Sequence, residues 1–131
     1  IYPASHYGRD AMVGVALFLS NLAHKKLKVS EYKATLPQYF IVKNKIELSD
    51  SSLIDRILET VKSRFSKEDI NTIDGVKISF ESTRRWVHLR RSNTEPIIRI
   101  YAEAPTEAEA SALAEEVINI AKSCFHSEQA R

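Results

Sequence analysis

The residues best suited to chemistry lie in one stretch, Leu89–Ala104, which reads LRRSNTEPIIRIYAEA. From Arg90 to Arg99 it holds three arginines (Arg90, Arg91, Arg99), two hydroxyls (Ser92, Thr94) and one amide (Asn93). Guanidinium groups present forked N–H donors that match phosphate and carboxylate oxygens. Small hydroxyls and consecutive loop N–H groups add donors, and concave backbone turns bind anions. Glu95 is the one acid in the loop. Arg99 stands inside an otherwise apolar run with the parity of Ile97 and Tyr101, so it needs an anionic partner if that face is covered. Together these residues describe a phosphate or carboxylate clamp. The plainer alternative is a solvated charged turn.

Such a loop must be held by its neighbours, and both flanks read as strands. Arg85–Arg90 (RWVHLR) precedes it and Ile97–Glu103 (IIRIYAE) follows, with Pro96 unable to donate a ladder hydrogen bond. Two further strands are predicted. In residues 39–48, Phe40, Val42, Ile46 and Leu48 alternate with Lys43, Lys45 and Glu47. After the Asp74-Gly75 turn, Val76, Ile78 and Phe80 alternate with Lys77 and Ser79. Glu81–Arg84 reads as a hairpin turn without the usual Gly or Asn.

Two amphipathic helices accompany the strands. Residues 52–65 place Leu53, Ile54, Ile57, Leu58, Val61 and Phe65 on one stripe. The last helix follows Thr106, whose spacing to Glu109 is that of a capping box; its stripe is Ala110, Leu113, Ala114, Val117, Ala121 and Cys124. The order from residue 39 is strand, helix, three strands, helix. That order predicts an α+β two-layer sandwich, a mostly antiparallel four-stranded sheet with helices on one face.

The first part of the chain differs. Asp10 is a cap for a helix from Ala11 whose apolar residues cover nearly every side, more than a chain this small can surround. A short helix capped by Ser30 and ended by Pro37 follows. The change of pattern predicts a boundary near Pro37–Tyr39.

Composition narrows the class. The 131 residues carry 19 basic and 17 acidic side chains, a net charge of +2, with 44% hydrophobic residues. This is the balance of a folded globular chain, with no global charge to attract nucleic acid or an acidic membrane. The apolar run Ala11–Ala23 is shorter than the roughly 20 residues of a membrane span. One cysteine, Cys124, allows no internal disulfide and fits a reducing compartment. His6, His24, His88 and His126 show no metal-ligand spacing with Cys or carboxylates. His88 shares the parity of Trp86 and Arg90 and could flank the anion site, though a structural role is the simpler reading; His6 could act behind a missing loop.

RRSNTEPIIRIYAEA resembles the phosphate-binding loop of the α-D-phosphohexomutases, the phosphoglucomutase/phosphomannomutase family. Arg90, Ser92, Asn93 and Thr94 match the phosphate-contact positions of that loop, Arg99 the second arginine position, and Arg91 the variable position. GRDAMVGVALFLSNLA with SEYKATLPQY resembles the end of the family's third domain, and DGVKISFESTRRWVHLRRSNTEP the heart of its fourth. The resemblance implies that residues 1–38 are the tail of a sugar-binding α/β domain. Residues 39–131 would be a TATA-box-binding-protein-like C-terminal domain. With Ile1 in place of a starting Met, the chain is expected to be about the last quarter of such an enzyme.

The resemblance also implies the function. A phosphoserine and magnesium, both outside these residues, would interconvert hexose 1-phosphate and hexose 6-phosphate through a bisphosphorylated sugar. This domain would clamp the phosphate not being transferred, with Arg90, Ser92, Asn93, Thr94 and Arg99 as its binding residues and no catalytic or metal-binding residue of its own. Expected partners are the hexose phosphate and the enzyme's other domains, without nucleic acid or membrane, in the cytoplasm. Asn93, where the glucosamine-phosphate branch typically carries Gly, leans the reading toward glucose and mannose phosphates. The alternatives are a phosphoglucosamine mutase fragment or a free-standing anion- or RNA-binding α+β module.

Overall fold

The computed structural model describes residues 1–48 and 52–126. The chain divides into two units, Ile1–Pro37 and Gln38–Arg131.

In the first unit, α1 spans Ala11–Lys25 and α2 spans Val29–Ala34. The Asp10 carboxylate accepts the Val13 N–H at 3.0 Å, as the sequence predicts for the cap. His6 donates to the same carboxylate from Nε2 at 2.9 Å, while its Nδ1 accepts the Gly8 N–H. The short helix starts earlier than predicted. Glu31 reaches back to the Lys28 N–H at 2.7 Å, which makes Lys28 rather than Ser30 the boundary residue. Tyr32 links the two helices by accepting from Asn21 at 2.8 Å and by an edge contact with Phe18. Leu22 is buried, while Met12, Leu17 and Leu19 are exposed.

The second unit is the predicted α+β sandwich with one more strand than expected. Its strands are β1 (Phe40–Glu47), β2 (Asp69–Asn71), β3 (Val76–Phe80), β4 (Arg85–Arg91) and β5 (Ile97–Ala104). They form one antiparallel sheet in the order β1-β5-β4-β3-β2. The added strand is β2, three residues read from sequence as a polar stretch. Only Ile70 turns inward there, and pairing with β3 supplies what two-residue periodicity cannot signal over so short a run.

Helices α3 (Leu53–Arg64) and α4 (Glu107–His126) supply the second layer. Ile54, Ile57 and Val61 of α3 and the six predicted stripe residues of α4 are buried. They pack against Ile46, Ile78, Val87, Leu89, Ile98, Ile100 and Ala102 from the sheet. Burying each large aliphatic side chain here stabilises the fold by about 1.5–3 kcal/mol. Ala110, Ala114 and Ala121 are fully buried, and their small volume lets α4 lie close to the sheet. Thr106 caps α4 as predicted: its hydroxyl accepts the Glu109 N–H at 3.2 Å and donates to the Glu109 carboxylate at 2.8 Å.

Since side chains alternate across a strand, packing one sheet face on the helices leaves Lys43, Lys45, Lys77, Trp86, His88, Arg90, Arg99 and Tyr101 on the other. The hairpins at the two ends of β3 solve their turns differently. Before β3, Asn71 accepts the Ile73 N–H and Gly75 takes φ +84°. After it, one turn of 3-10 helix, Glu81–Thr83, leads to Arg84 at φ 51°, a left-handed position without glycine.

Candidate functional site: the β4–β5 loop

Strands β4 and β5 deliver the loop that the sequence singles out. The Ser92 N–H donates to the Ile97 carbonyl at 3.0 Å, closing residues 92–96 into a hairpin loop. The Ile97 N–H donates to Glu95, and the Leu48 N–H donates to Pro96 at 2.9 Å, which ties the loop to the end of β1. Three backbone bonds thus hold five residues, so the loop is a shaped concavity rather than a free tip.

Ser92 is 8% exposed, a buried polar side chain. Its Oγ lies 3.5 Å from the Thr94 hydroxyl and 3.5 Å from the Thr94 N–H that points to it. These distances are at the outer limit of hydrogen bonding, so both hydroxyls and that N–H keep capacity for a better acceptor. Around them Arg91, Asn93, Glu95 and Pro96, with Ile54 from α3, line a pocket of about 360 Å³.

Two of the predicted residues stand on the neighbouring sheet face. Arg90 and Arg99 are direct cross-strand partners, and Lys45 of β1 is the partner of Arg99 on its other side. Three cations therefore form one row across three adjacent strands. Like charges directly opposite repel, so such a row is favourable only with anions to hold it. Lys45 has one in Glu47 at 2.7 Å, and this pair raises the Lys45 ammonium above, and lowers the Glu47 carboxyl below, its ordinary value. Arg90 meets the Asp74 carboxylate through Nε at 3.1 Å. Arg99 is exposed and has no carboxylate partner among the described residues.

The five predicted residues thus fall into two adjoining groups. Ser92, Asn93 and Thr94 share a pocket with Arg91; Arg90 and Arg99 stand side by side where the strands enter and leave the loop. Sequence reasoning missed Asp74 and Lys45. Asp74 was legible only as a turn residue, and its meeting with Arg90 depends on how the turn before β3 lies on β4. Lys45 was legible as a solvent-facing strand residue, and its place beside Arg99 depends on β1 pairing with the distant β5. His88 is occupied structurally: its Nε2–H donates to the Asp74 carbonyl at 2.5 Å.

A loop rich in anion donors, at the end of an antiparallel sheet backed by two helices, is what the sequence resemblance implies. The family model for the phosphoglucomutase/phosphomannomutase C-terminal domain matches residues 39–120. The chain belongs to the phosphoglucomutase/phosphomannomutase family.

Relatives within the family carry more than one sugar in their names. The chain is similar to the phosphoglucosamine/phosphogalactosamine mutase of Sulfurisphaera tokodaii, at 37% identity over 92% of this chain and 26% of that protein. It is similar to the phosphoglucomutase/phosphomannomutase of Thermococcus kodakarensis, at 36% identity over 84% of this chain and 24% of that protein. The chain therefore spans about a quarter of the length of the curated relatives it matches. Among solved structures, the N-acetylphosphoglucosamine mutase of Aspergillus fumigatus superposes with a TM-score of 0.55 at 22% identity, over 88% of this chain and 21% of that one. The same enzyme in complex with GlcNAc-6P and magnesium superposes with a TM-score of 0.51 at 23% identity, over 88% and 21% of the two chains. These two structural likenesses show the family fold.

Proposed function

We propose that this chain is the phosphate-gripping part of a cytoplasmic phosphohexomutase, an enzyme that interconverts hexose 1-phosphate and hexose 6-phosphate through a phosphoserine and a bisphosphorylated sugar. Residues 1–38 are then the tail of the sugar-binding domain, and residues 39–131 form the domain that holds the phosphate not being transferred. The observation that carries this reading is the direct pairing of Arg90 with Arg99 at the mouth of the Ser92–Pro96 loop. In this reading Arg90 and Arg99 offer a phosphate dianion two guanidinium forks from the sheet face, and Ser92, Asn93 and Thr94 offer donors from the adjoining loop pocket. The charge of the dianion offsets the repulsion that the two arginines otherwise exert on each other.

This clamp performs no covalent step. It positions the substrate and stabilises charge while the reacting phosphate is handled elsewhere, which is the main work of phosphoryl-transfer enzymes. It also reads a phosphate and not a sugar, as a site must that receives the intermediate in either orientation. Relatives named for amino-sugar phosphates and for glucose and mannose phosphates match this chain at 37% and 36% identity. We therefore assign the choice of sugar to residues outside the clamp, Asn93 notwithstanding.

Magnesium belongs to the family reaction. The clamp itself carries Arg90, Arg91 and Arg99, whose positive charge repels a cation. We place the ion, like the phosphoserine, outside these residues. An RNA-binding role for the open sheet face is not favoured, because Trp86 is covered by Lys77 at 4.7 Å from its ring and tied to Glu103 at 2.9 Å.

Replacing Arg90 by Ala in the full-length enzyme tests the assignment. Substrate affinity should fall while the serine still accepts a phosphoryl group; unchanged affinity in that variant would sink it.

A further inference from the structure

Arg90 has a partner that comes from outside the clamp loop. Asp74 meets its Nε at 3.1 Å. The turn that carries Asp74 is fastened to β4 twice: His88 donates to the Asp74 carbonyl, and Gly75 packs directly on the Leu89 carbonyl and the Arg90 Cα. The carboxylate is thus anchored beside the residue whose side chain it grips.

A guanidinium offers its donors along distinct edges. The ion pair with Asp74 lies on the Nε side of the group, and the terminal amino groups remain for another oxyanion. Building on the clamp reading, we infer that Asp74 is a positioning residue for Arg90. It holds the long side chain by its inner edge and so presents the outer donors to phosphate already ordered. It also supplies the counter-charge that lets Arg90 face Arg99 before any anion arrives. The pair is about half exposed, so its value to folding is small and its effect falls on binding.

The test is a titration of inorganic phosphate into this chain, followed by the amide resonances of Ser92, Asn93 and Thr94 and by the Arg90 Nε–H. Asp74→Ala is expected to weaken phosphate binding by about three- to tenfold, the cost of ordering one long side chain on binding. It should also shift the Arg90 Nε–H signal before phosphate is added. Asp74→Asn keeps the size of the side chain and removes the charge of the ion pair, so it should weaken binding as Asp74→Ala does. Binding by Asp74→Ala or by Asp74→Asn as tight as the unchanged chain overturns the positioning role. Failure of the clamp itself reads differently. Arg90→Ala then binds phosphate as well as the unchanged chain, or no loop resonance of the unchanged chain moves, and both conclusions fall together.

Discussion

A β-carbon added to Gly75 would lie 2.1 Å from the carbonyl oxygen of Leu89. No side chain fits that gap, and the φ of +84° at Gly75 disfavours every other residue as well. The neighbouring atom is backbone of a central strand and cannot rotate away. Gly75→Ala is therefore expected to destabilise the second unit by at least about 2 kcal/mol, combining backbone strain with displacement of the turn. Urea denaturation measures this. A loss below about 0.5 kcal/mol, the level of an ordinary surface substitution, would contradict the packing described.

Arg84 presents the opposite case. It occupies a left-handed conformation without being glycine, and its φ of 51° carries a steric cost of about 1–2 kcal/mol. Arg84→Gly removes that strain and adds about 0.5–1 kcal/mol of unfolded-chain entropy. The net expectation is a gain of roughly 0.5–1 kcal/mol, seen as a higher thermal midpoint. A lower midpoint would mean that the Arg84 side chain contributes more than its exposure suggests.

The row of cations predicts unequal roles. Arg99 has no carboxylate partner among the described residues, whereas Lys45 is paired with Glu47 at 2.7 Å. Arg99→Ala should reduce phosphate affinity by about tenfold or more, the scale of a lost hydrogen bond to a charged group. Lys45→Ala should change it far less. Titration of both variants at fixed ionic strength decides the point, and equal losses would show that the row acts only as a diffuse field.

Acid should act on the first unit through Asp10. The hydrogen bond from His6, and then the Val13 N–H, holds the Asp10 carboxyl below its ordinary value. A lowered carboxyl contributes stability that is complete above its unfolded value, about pH 3.9, and is lost as the pH falls through the lowered folded value. Protection of the α1 amides from hydrogen exchange should therefore decline below about pH 3.9. Asp10→Ala should lack this decline and be less protected at neutral pH. A variant with the pH profile of the unchanged chain would remove Asp10 from the cap.

The fold was legible wherever a local period was long enough to read. The stripe of α4 is buried residue for residue, and β3, β4 and β5 lie where alternation predicts them. Reading failed where a neighbour rather than a period makes the element. Strand β2 has one inward residue and exists by pairing with β3. The start of α2 follows Glu31 reaching back to Lys28 rather than the cap propensity of Ser30.

The residue types of the proposed clamp, and the two strands that carry it, follow from the sequence alone, because alternation and the RRSNTEP segment are local features of the chain. The partners of its arginines do not. Arg90 meets Asp74, and Arg99 stands between Arg90 and Lys45, because sheet register brings together strands far apart in sequence. Register follows from burying one face of every strand against α3 and α4 at once. That burial is a property of the assembled layers, so only the tertiary structure decided which charges face one another.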